Sequence, residues 1–318
     1  MSDKNTSQAP AKVIALTGAT GFLGGHVIDS LLDAGHEVRA LTRRPQEARD
    51  GVTWVPGDLS DKIALLELTR DADTLMHVAG LTKALNRDTF FDVNLGGTKL
   101  VLEAAAENGV RHVVNVSSLA AREPRLSHYG ASKAAAELAL SARRWPFSWV
   151  NVRPPAIYGP GDKEILKLLK ASKLGLLPAP GSSKNRFSMI HAQDLARALT
   201  ILAEGGHGTA TYEIDDMKPS GYQLKDVAEA LGSKEDRRPR ILPVPFPVLG
   251  TLGAINGLFA SMIRRPAMLT LPTARYLCHN DWTVRSARRP ILANWSPQFD
   301  LKTGLKDTMD WYRKNGLL

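Results

Sequence analysis

The chain has 318 residues, 43% apolar and 23% charged, which suits one large globular domain or a domain with a smaller lobe. A single cysteine, Cys278, excludes an internal disulfide or a cysteine-based metal site, and the eight histidines show no H-x-x-x-H or H-E-x-x-H spacing, so a reducing, cytoplasmic setting and no metal are expected. Acidic and basic residues balance through residue 150 and the whole net charge of +9 falls beyond it; the basic residues are scattered without interleaved aromatics, which argues against nucleic acid and leaves a solvated basic face, or one that attracts an anionic substrate or membrane surface.

Residues 1–11 are polar with no apolar core, which predicts a disordered tail rather than a signal peptide. Val13-Ile14-Ala15-Leu16 then reads as a strand, Thr17 to Gly24 as a glycine turn, and the run to Ala34 as a helix stopped by Gly35. Strand, glycine turn and helix in this order open a dinucleotide-binding unit. Gly18 lets the chain turn off the strand, Gly21 removes a side chain where a pyrophosphate approaches, and Gly24 allows close helix packing. The helix start offers free N–H donors and a positive dipole end. Gly18, Thr20, Gly21, Phe22, Leu23 and Gly24 are the expected cofactor contacts here. Their G-x-x-G-x-x-G spacing resembles the short-chain dehydrogenase/reductase superfamily, and Thr-Gly-Ala-Thr-Gly-Phe-Leu-Gly resembles its extended branch. That branch includes nucleotide-sugar epimerases, dihydroflavonol-reductase-like enzymes and 3β-hydroxysteroid-dehydrogenase-like enzymes.

Glu37–Thr42 alternates as a second strand and ends in Arg43-Arg44. An acidic residue at this strand end commonly holds the ribose of NAD. Thr42 stands there instead, and a guanidinium pairs well with a phosphate. This favours NADP over NAD, with Arg43 on the 2′-phosphate; the alternative is two arginines in a polar loop. Val52–Val55 reads as a third strand before Asp58-Leu59 and a helix near Lys62–Thr69. The resemblance puts Asp58 and Leu59 against the adenine; by itself Asp58 reads as a helix cap. Thr74–Val78 reads as the fourth strand, ending in Ala79-Gly80, small enough for a cofactor to pass. The helix from about Thr89 to Asn108 carries Val93-Asn94-Leu95-Gly96-Gly97-Thr98, which resembles the family's V-N-x-x-G-T motif. Asn94 either orients the catalytic lysine through water or bonds a neighbouring strand.

His112–Val116 is a fifth strand, leading to Ser117-Ser118. Tyr129 and Lys133 follow, four residues apart and so on one helical face. This combination resembles the superfamily's catalytic set. A phenol with a pKa of about 10 is a poor acid–base group at neutral pH unless a neighbouring cation favours its phenolate. Tyr129 is the expected acid–base, Lys133 its modulator and a ribose contact, and Ser118 the group holding the substrate oxygen, with Ser117 in reserve. Val116, at the strand end, lies beside the cofactor. The segment from Ser118 to Tyr129 is shorter than usual in the extended branch, which trims one wall of the substrate pocket.

Trp149–Val152 reads as a sixth strand. Arg153 to Asp162 resembles the signature R-P-x-x-V-Y-G-P-G-D, in which Pro154 to Ile157 pass the nicotinamide, while Arg153 ties down the crossing. Lys163–Lys173 is a basic helix, Phe187–His191 a strand, and a helix opens at Asp194. Asn185 to Asp194 resembles a segment whose arginine holds a diphosphate in sugar-nucleotide enzymes; Arg186 does the same here or forms a salt bridge within its lobe. Ile241–Ile263 carries no charge. Its usable helix, Val248–Ile263, falls short of the roughly 20 residues a membrane span needs. It is either buried, with Val248, Leu249, Leu252, Ile255, Phe259 and Met262 on one side, or an apolar lid or membrane-contacting patch over 248–265 with Arg264-Arg265 at its edge. Trp311–Gly316 resembles the W-Y-x-x-x-G ending of these proteins.

The expected fold is α/β: a Rossmann-type doubly wound parallel sheet from residues 12–160 with returning segments near 187–214, and a smaller C-terminal substrate lobe from 161–186 and 215–318. The expected function is hydride transfer between NADP(H) and a carbonyl or secondary alcohol of a small lipophilic molecule. The alternatives are a nucleotide-sugar epimerase or dehydratase with tightly bound NAD, and a non-catalytic NADPH-binding structural subunit. The resemblance further implies a homodimer through helices 89–108 and 127–143.

Overall fold

The computed structural model describes residues 10–232, 238–263 and 269–318. Most of the expected tail, together with Arg264 and Arg265, lies outside them. Six strands and the helices between them build the first half: β1 (Val13–Thr17), α1 (Phe22–Asp33), β2 (Glu37–Thr42), β3 (Val52–Pro56), α2 (Lys62–Thr69), β4 (Thr74–His77), α3 (Arg87–Phe91), α4 (Thr98–Glu107), β5 (His112–Val116), α5 (His128–Ser141) and β6 (Ser148–Arg153). After β7 (Ala156–Tyr158), α6 (Lys163–Lys173), β8 (Leu176–Pro180), β9 (Arg186–Phe187), β10 (Met189–His191) and α7 (Ala192–Ala203), the chain returns through β11 (Ala210–Glu213). Seven strands form one sheet in the order β11-β6-β5-β4-β1-β2-β3, every pair parallel.

Parallel strands need helical crossovers, which cover both faces, so the central strands are apolar throughout. All residues of β4 and β5 are buried. On one face Val27 and Leu31 of α1 pack with Leu195, Leu199 and Leu202 of α7. On the other, Leu65 and Leu68 of α2 pack with Val101 and Leu102 of α4 and Leu140 of α5. Strand order reverses beside β1, so the fold is the doubly wound Rossmann arrangement, with its crevice at the C-terminal ends of β1 and β4.

The helix expected from Thr89 to Asn108 begins at Arg87 and is interrupted by a π-helical turn over Asp92–Gly97. Such turns recur at functional sites, and here it turns Asn94 into the interior. The single strand expected over Phe187–His191 is broken at Ser188. Its buried hydroxyl donates to Asp215 Oδ2 at 2.8 Å and accepts from the Val284 amide at 3.1 Å. The chain changes partners there: β9 pairs with β13 (Asp281–Trp282), and β10 with β7.

The other elements are α8 (Leu224–Leu231), β12 (Arg240–Val244), α9 (Phe246–Met262), α10 (Leu271–Leu277) and α11 (Leu301–Lys314). Tyr158, Leu169, Leu177, Val227, Leu305 and Tyr312 form a third core cluster, while Leu292 and Trp295 join the α1–α7 layer. α9 begins two residues earlier than expected, because Pro247 falls in its first turn, where a missing N–H costs nothing. The buried-helix reading of α9 is overturned: Val248, Leu252, Ile255, Phe259 and Met262 are exposed. The side that packs on α10 is a stripe of small residues, Gly250, Gly253 and Ala260, all buried. Among the described residues no helix is long and apolar enough to cross a membrane.

Candidate active site

The glycine turn after β1 is built for close approach. Gly18 has φ +77°, and a Cβ there would lie 2.6 Å from the Ala79 nitrogen, so only glycine lets the turn press against the end of β4. Gly21 donates its amide to the Gly18 carbonyl at 3.0 Å and starts α1 without a side-chain cap. No acidic residue stands in that first turn, so its N–H donors and dipole end are open to an anion. Thr20 and Gly21 are exposed and Phe22 is half-buried, whereas Leu23 and Gly24 are buried and face inward. A Cβ on Gly24 would meet the Gly18 carbonyl oxygen at 2.1 Å. Gly24 therefore lets the start of α1 pack directly on its own turn.

Arg43 is exposed at the end of β2. Thr42, where an acidic residue would stand, donates its hydroxyl to the Arg44 carbonyl at 2.6 Å. Asp58 accepts from the Ser60 hydroxyl at 2.6 Å and the Ser60 amide at 2.8 Å. Those bonds, with the nearby Arg43 charge adding to them, hold its carboxyl below the usual range. Asp58 is not the helix cap its sequence position suggests. Asp61 caps α2, accepting from the Ala64 amide at 3.0 Å. Leu59 packs against Gly97, where a Cβ would meet its side chain at 2.9 Å.

At the ends of β4 and β5 the structure brings Ser118, Tyr129, Lys133, Gly80 and Asn94 together. Ser118 caps a 3-10 turn over Leu119–Arg122 and accepts from the Ala120 amide at 3.1 Å. Its side chain lies near the Tyr129 hydroxyl and opposes the rise that burial imposes on the Tyr129 pKa. The hydroxyl of Ser117, the reserve candidate, is buried and has no hydrogen-bond partner. Lys133 is buried and donates from Nζ to the Val116 carbonyl at 2.9 Å. Burial lowers its pKa to about 8, with Glu137 opposing. A Cβ on Gly80 would lie 3.0 Å from Lys133 Nζ and 3.2 Å from Asn94 Oδ1, so the missing side chain opens this corner.

Asn94 bonds the segment after β4. Its Nδ2 donates to the Leu81 carbonyl at 3.0 Å and to Ser132 Oγ at 2.9 Å, and its Oδ1 accepts from the Leu81 amide at 2.7 Å. Arg153 ties the crossing to α5: its Nε donates to Glu137 Oε1 at 2.8 Å. The Pro154 carbonyl accepts from the Leu119 amide at 2.9 Å, and Ile157 lies on β7 opposite Ile190. Arg186 is exposed, and its Nε donates to the Ser220 carbonyl at 3.0 Å.

Sequence reasoning missed two groups. Buried His77 bridges Thr17 (2.7 Å) and Thr98 (2.9 Å), bracing β1 and β4 against the π-turn. Burial, with Lys133 adding, pushes it down to about 3, so it stays neutral. Tyr276 on α10 comes close enough to Tyr129 for the two phenols to interact electrostatically. It packs against Trp282, ring centroids 4.9 Å apart. Arg122 donates to the carbonyls of Thr283 (2.7 Å) and Asp281 (2.9 Å), drawing β13 alongside the short Ser118–Tyr129 segment. No local pattern announces Tyr276, because only the long-range fold brings it there.

These features are found together in one known group of proteins. Residues 14–214 match the NAD dependent epimerase/dehydratase family. The chain belongs to that family. It is an extended short-chain dehydrogenase/reductase, an enzyme acting on carbonyl/alcohol groups. Among this family's curated members, a protein of Caulobacter vibrioides named ceramide reductase is 40% identical over 311 residues, covering 96% of each chain. A 4-hydroxy-2-methyl-3-oxo-4-farnesyl-3,4-dihydroquinoline-1-oxide ketoreductase of Stigmatella aurantiaca is 28% identical, covering 87% of this chain and 90% of that one. Among solved structures, MoeE5 in complex with UDP-glucose and NAD superposes with a TM-score of 0.72 at 23% identity, over 96% of this chain and 99% of that one. That likeness concerns the family's fold alone.

The residues present fit a dinucleotide. The cradle at Gly18 and Gly80 would be filled by a Cβ, and the first turn of α1 is uncapped.

Proposed function

We propose that this enzyme is an NADPH-dependent ketoreductase acting on a carbonyl carried by a long-chain lipid of the ceramide class. The observation that carries the reading is the convergence of Ser118, Tyr129 and Lys133 at the end of β5, with Lys133 one helical turn beyond Tyr129 on α5 and its Nζ on the Val116 carbonyl. The 40% identity to a ceramide reductase over 96% of the chain supports the substrate class.

The glycine turn and the α1 N-terminus would hold the pyrophosphate, Arg43 the 2′-phosphate, Asp58 and Leu59 the adenine. Ala79, Gly80, Val116, Pro154 and Ile157 would line the nicotinamide end. The bound nicotinamide supplies hydride to the carbonyl carbon. Ser118 donates to the carbonyl oxygen and holds it beside Tyr129. Tyr129 gives its proton to that oxygen as the alcohol forms. Lys133, cationic below about pH 8, favours the phenolate left behind. Asn94 acts by holding the Leu81 backbone and Ser132. Arg186, engaged by Ser220, has no diphosphate role in this reading, which weighs against a nucleotide-sugar enzyme.

We further place the dinucleotide half at residues 12–160 with 187–214, the substrate half at 161–186 and 215–318, and the substrate between them. The functional unit is a homodimer in the cytoplasm.

The test is NADPH oxidation by the purified protein with the 3-keto form of a ceramide-type lipid in detergent. Turnover that is lost in Tyr129→Phe supports the reading. Tightly retained NAD and turnover of nucleotide-sugars would overturn it.

A further inference from the structure

α9 is apolar on all sides, yet it is not buried. A helix of that kind belongs in a core or in contact with lipid. Its small-residue stripe is spent on the neighbouring segment: a Cβ on Gly253 would lie 2.7 Å from the Thr270 carbonyl carbon, and Asn256 donates to the Leu269 carbonyl at 2.9 Å. The opposite face carries Val248, Leu252, Ile255, Leu258, Phe259 and Met262. Exposure rises along it from 49% at Val248 through 71% at Leu258 to 80% at Met262. At 100° per residue these six side chains span an arc of roughly 120°, from Leu258 to Leu252, widening to about 140° with Ile263. A continuous apolar face of this kind is uncommon on a monomer and marks a contact surface.

Charge identifies what the surface contacts. No acidic residue occurs between Asp236 and Asp281, while Arg237, Arg238, Arg240, Arg264, Arg265 and Arg275 fall in that interval. Arg240 and Arg275, on the elements flanking α9, are exposed. An apolar face within an exclusively basic segment complements a bilayer with anionic headgroups: acyl chains take the leucines, and phosphates take the arginines. α10, the helix that backs α9, carries Tyr276 to the neighbourhood of Tyr129. Tyr276 packs on Trp282, whose neighbours Asp281 and Thr283 hold Arg122 of the turn that Ser118 caps, so α9 connects through α10 to the segment carrying Ser118.

We propose that the α9–α10 pair seats the enzyme on an anionic lipid bilayer, with the exposed face of α9 among the acyl chains, and that substrate enters from the membrane past α10. The entry route rests on the lipid ketoreductase reading; the docking does not.

The experiment is co-sedimentation of the full chain with vesicles of phosphatidylcholine alone and of phosphatidylcholine with phosphatidylglycerol. Wild type is expected to bind the anionic vesicles at least tenfold more tightly, and salt to weaken binding. Ile255→Glu/Leu258→Glu and the milder single Leu258→Ser are expected to lose binding in that order of severity. Both should keep the wild-type melting temperature, NADPH affinity and turnover of detergent-dispersed substrate, because these side chains are exposed. Wild type that ignores anionic vesicles, or variants that still bind, would overturn the docking. So would light scattering in which the variants convert a dimer to a monomer, since a second copy would then cover the face. Failure of the ketoreductase reading looks different: vesicle binding with no turnover of keto-lipid in any dispersion.

Discussion

Lys133 sits at the centre of the residue-scale argument, because burial brings its ammonium to about pH 8 from an ordinary 10.5. If its charge is needed, reduction should fall as pH rises through about 8, in a limb that Lys133→Arg moves upward. Glu137 opposes the lowering, so Glu137→Gln should move the limb downward. Both are read from kcat/KM against pH. The linkage to stability has a definite sign. A lysine lowered by folding is charged in both states below pH 8, where burying it costs most, and neutral in both above 10.5. Stability from this group therefore rises with pH between those values, and Lys133→Met should flatten the rise in a melting series. Tyr129→Phe should lower turnover about 10²- to 10⁴-fold with NADPH affinity unchanged. Arg43→Ala should weaken NADPH about tenfold or more, as expected for a lost charge-assisted phosphate contact, and leave NADH unchanged in a fluorescence titration.

At the scale of elements, the β1–α1 junction and the α5–β6 contact carry the site. Gly18→Ala puts a methyl at φ +77° and 2.6 Å from Ala79, so a loss of about 2 kcal/mol or more is expected. Gly25, three residues into α1, has nothing within 4 Å of its missing Cβ; Gly25→Ala should gain about 0.5–1 kcal/mol from helix propensity. Urea unfolding of the two variants compares strain with propensity in one turn of chain. Arg153 and Glu137 clasp β6 to the helix bearing Tyr129 and Lys133. Arg153→Met strands a nearly buried carboxylate, and about 2–3 kcal/mol should be lost, less than for a fully buried pair because Arg153 is partly exposed.

For the whole molecule, the open question of assembly separates two surfaces. The proposed dimer uses the helices over 89–108 and 127–143, on the far side of the first two core layers from the α1–α7 packing. Light scattering at micromolar concentration should give twice the 34.6 kDa chain mass, and a monomer mass would remove that assembly. The two proposed surfaces lie on different helices, α4–α5 and α9, so each can be broken by its own substitutions. The net charge fits the same division, since it falls entirely beyond residue 150.

Local sequence determined the six strands of the first half, the turn at Gly18, the helix α1 ended before Gly35, and the Tyr129–Lys133 face. Each depends on periodicity, backbone freedom or spacing within a few residues, and those forces are visible in the chain itself. The family resemblance supplied the assignment of Ser118, which local periodicity alone does not single out over Ser117. Tertiary structure decided the rest, because it concerns which groups compete for the same partner. Asp61 takes the cap that Asp58 was expected to fill, since it stands one residue before α2. Asn94 turns to Leu81 because the π-turn aims it there. Long-range folding brings Tyr276 close enough to Tyr129 for their charges to interact. The exposure of α9 was hidden for the same reason: an all-apolar helix reads as core, and only packing shows that its glycines took the one available neighbour and left its large side chains outside.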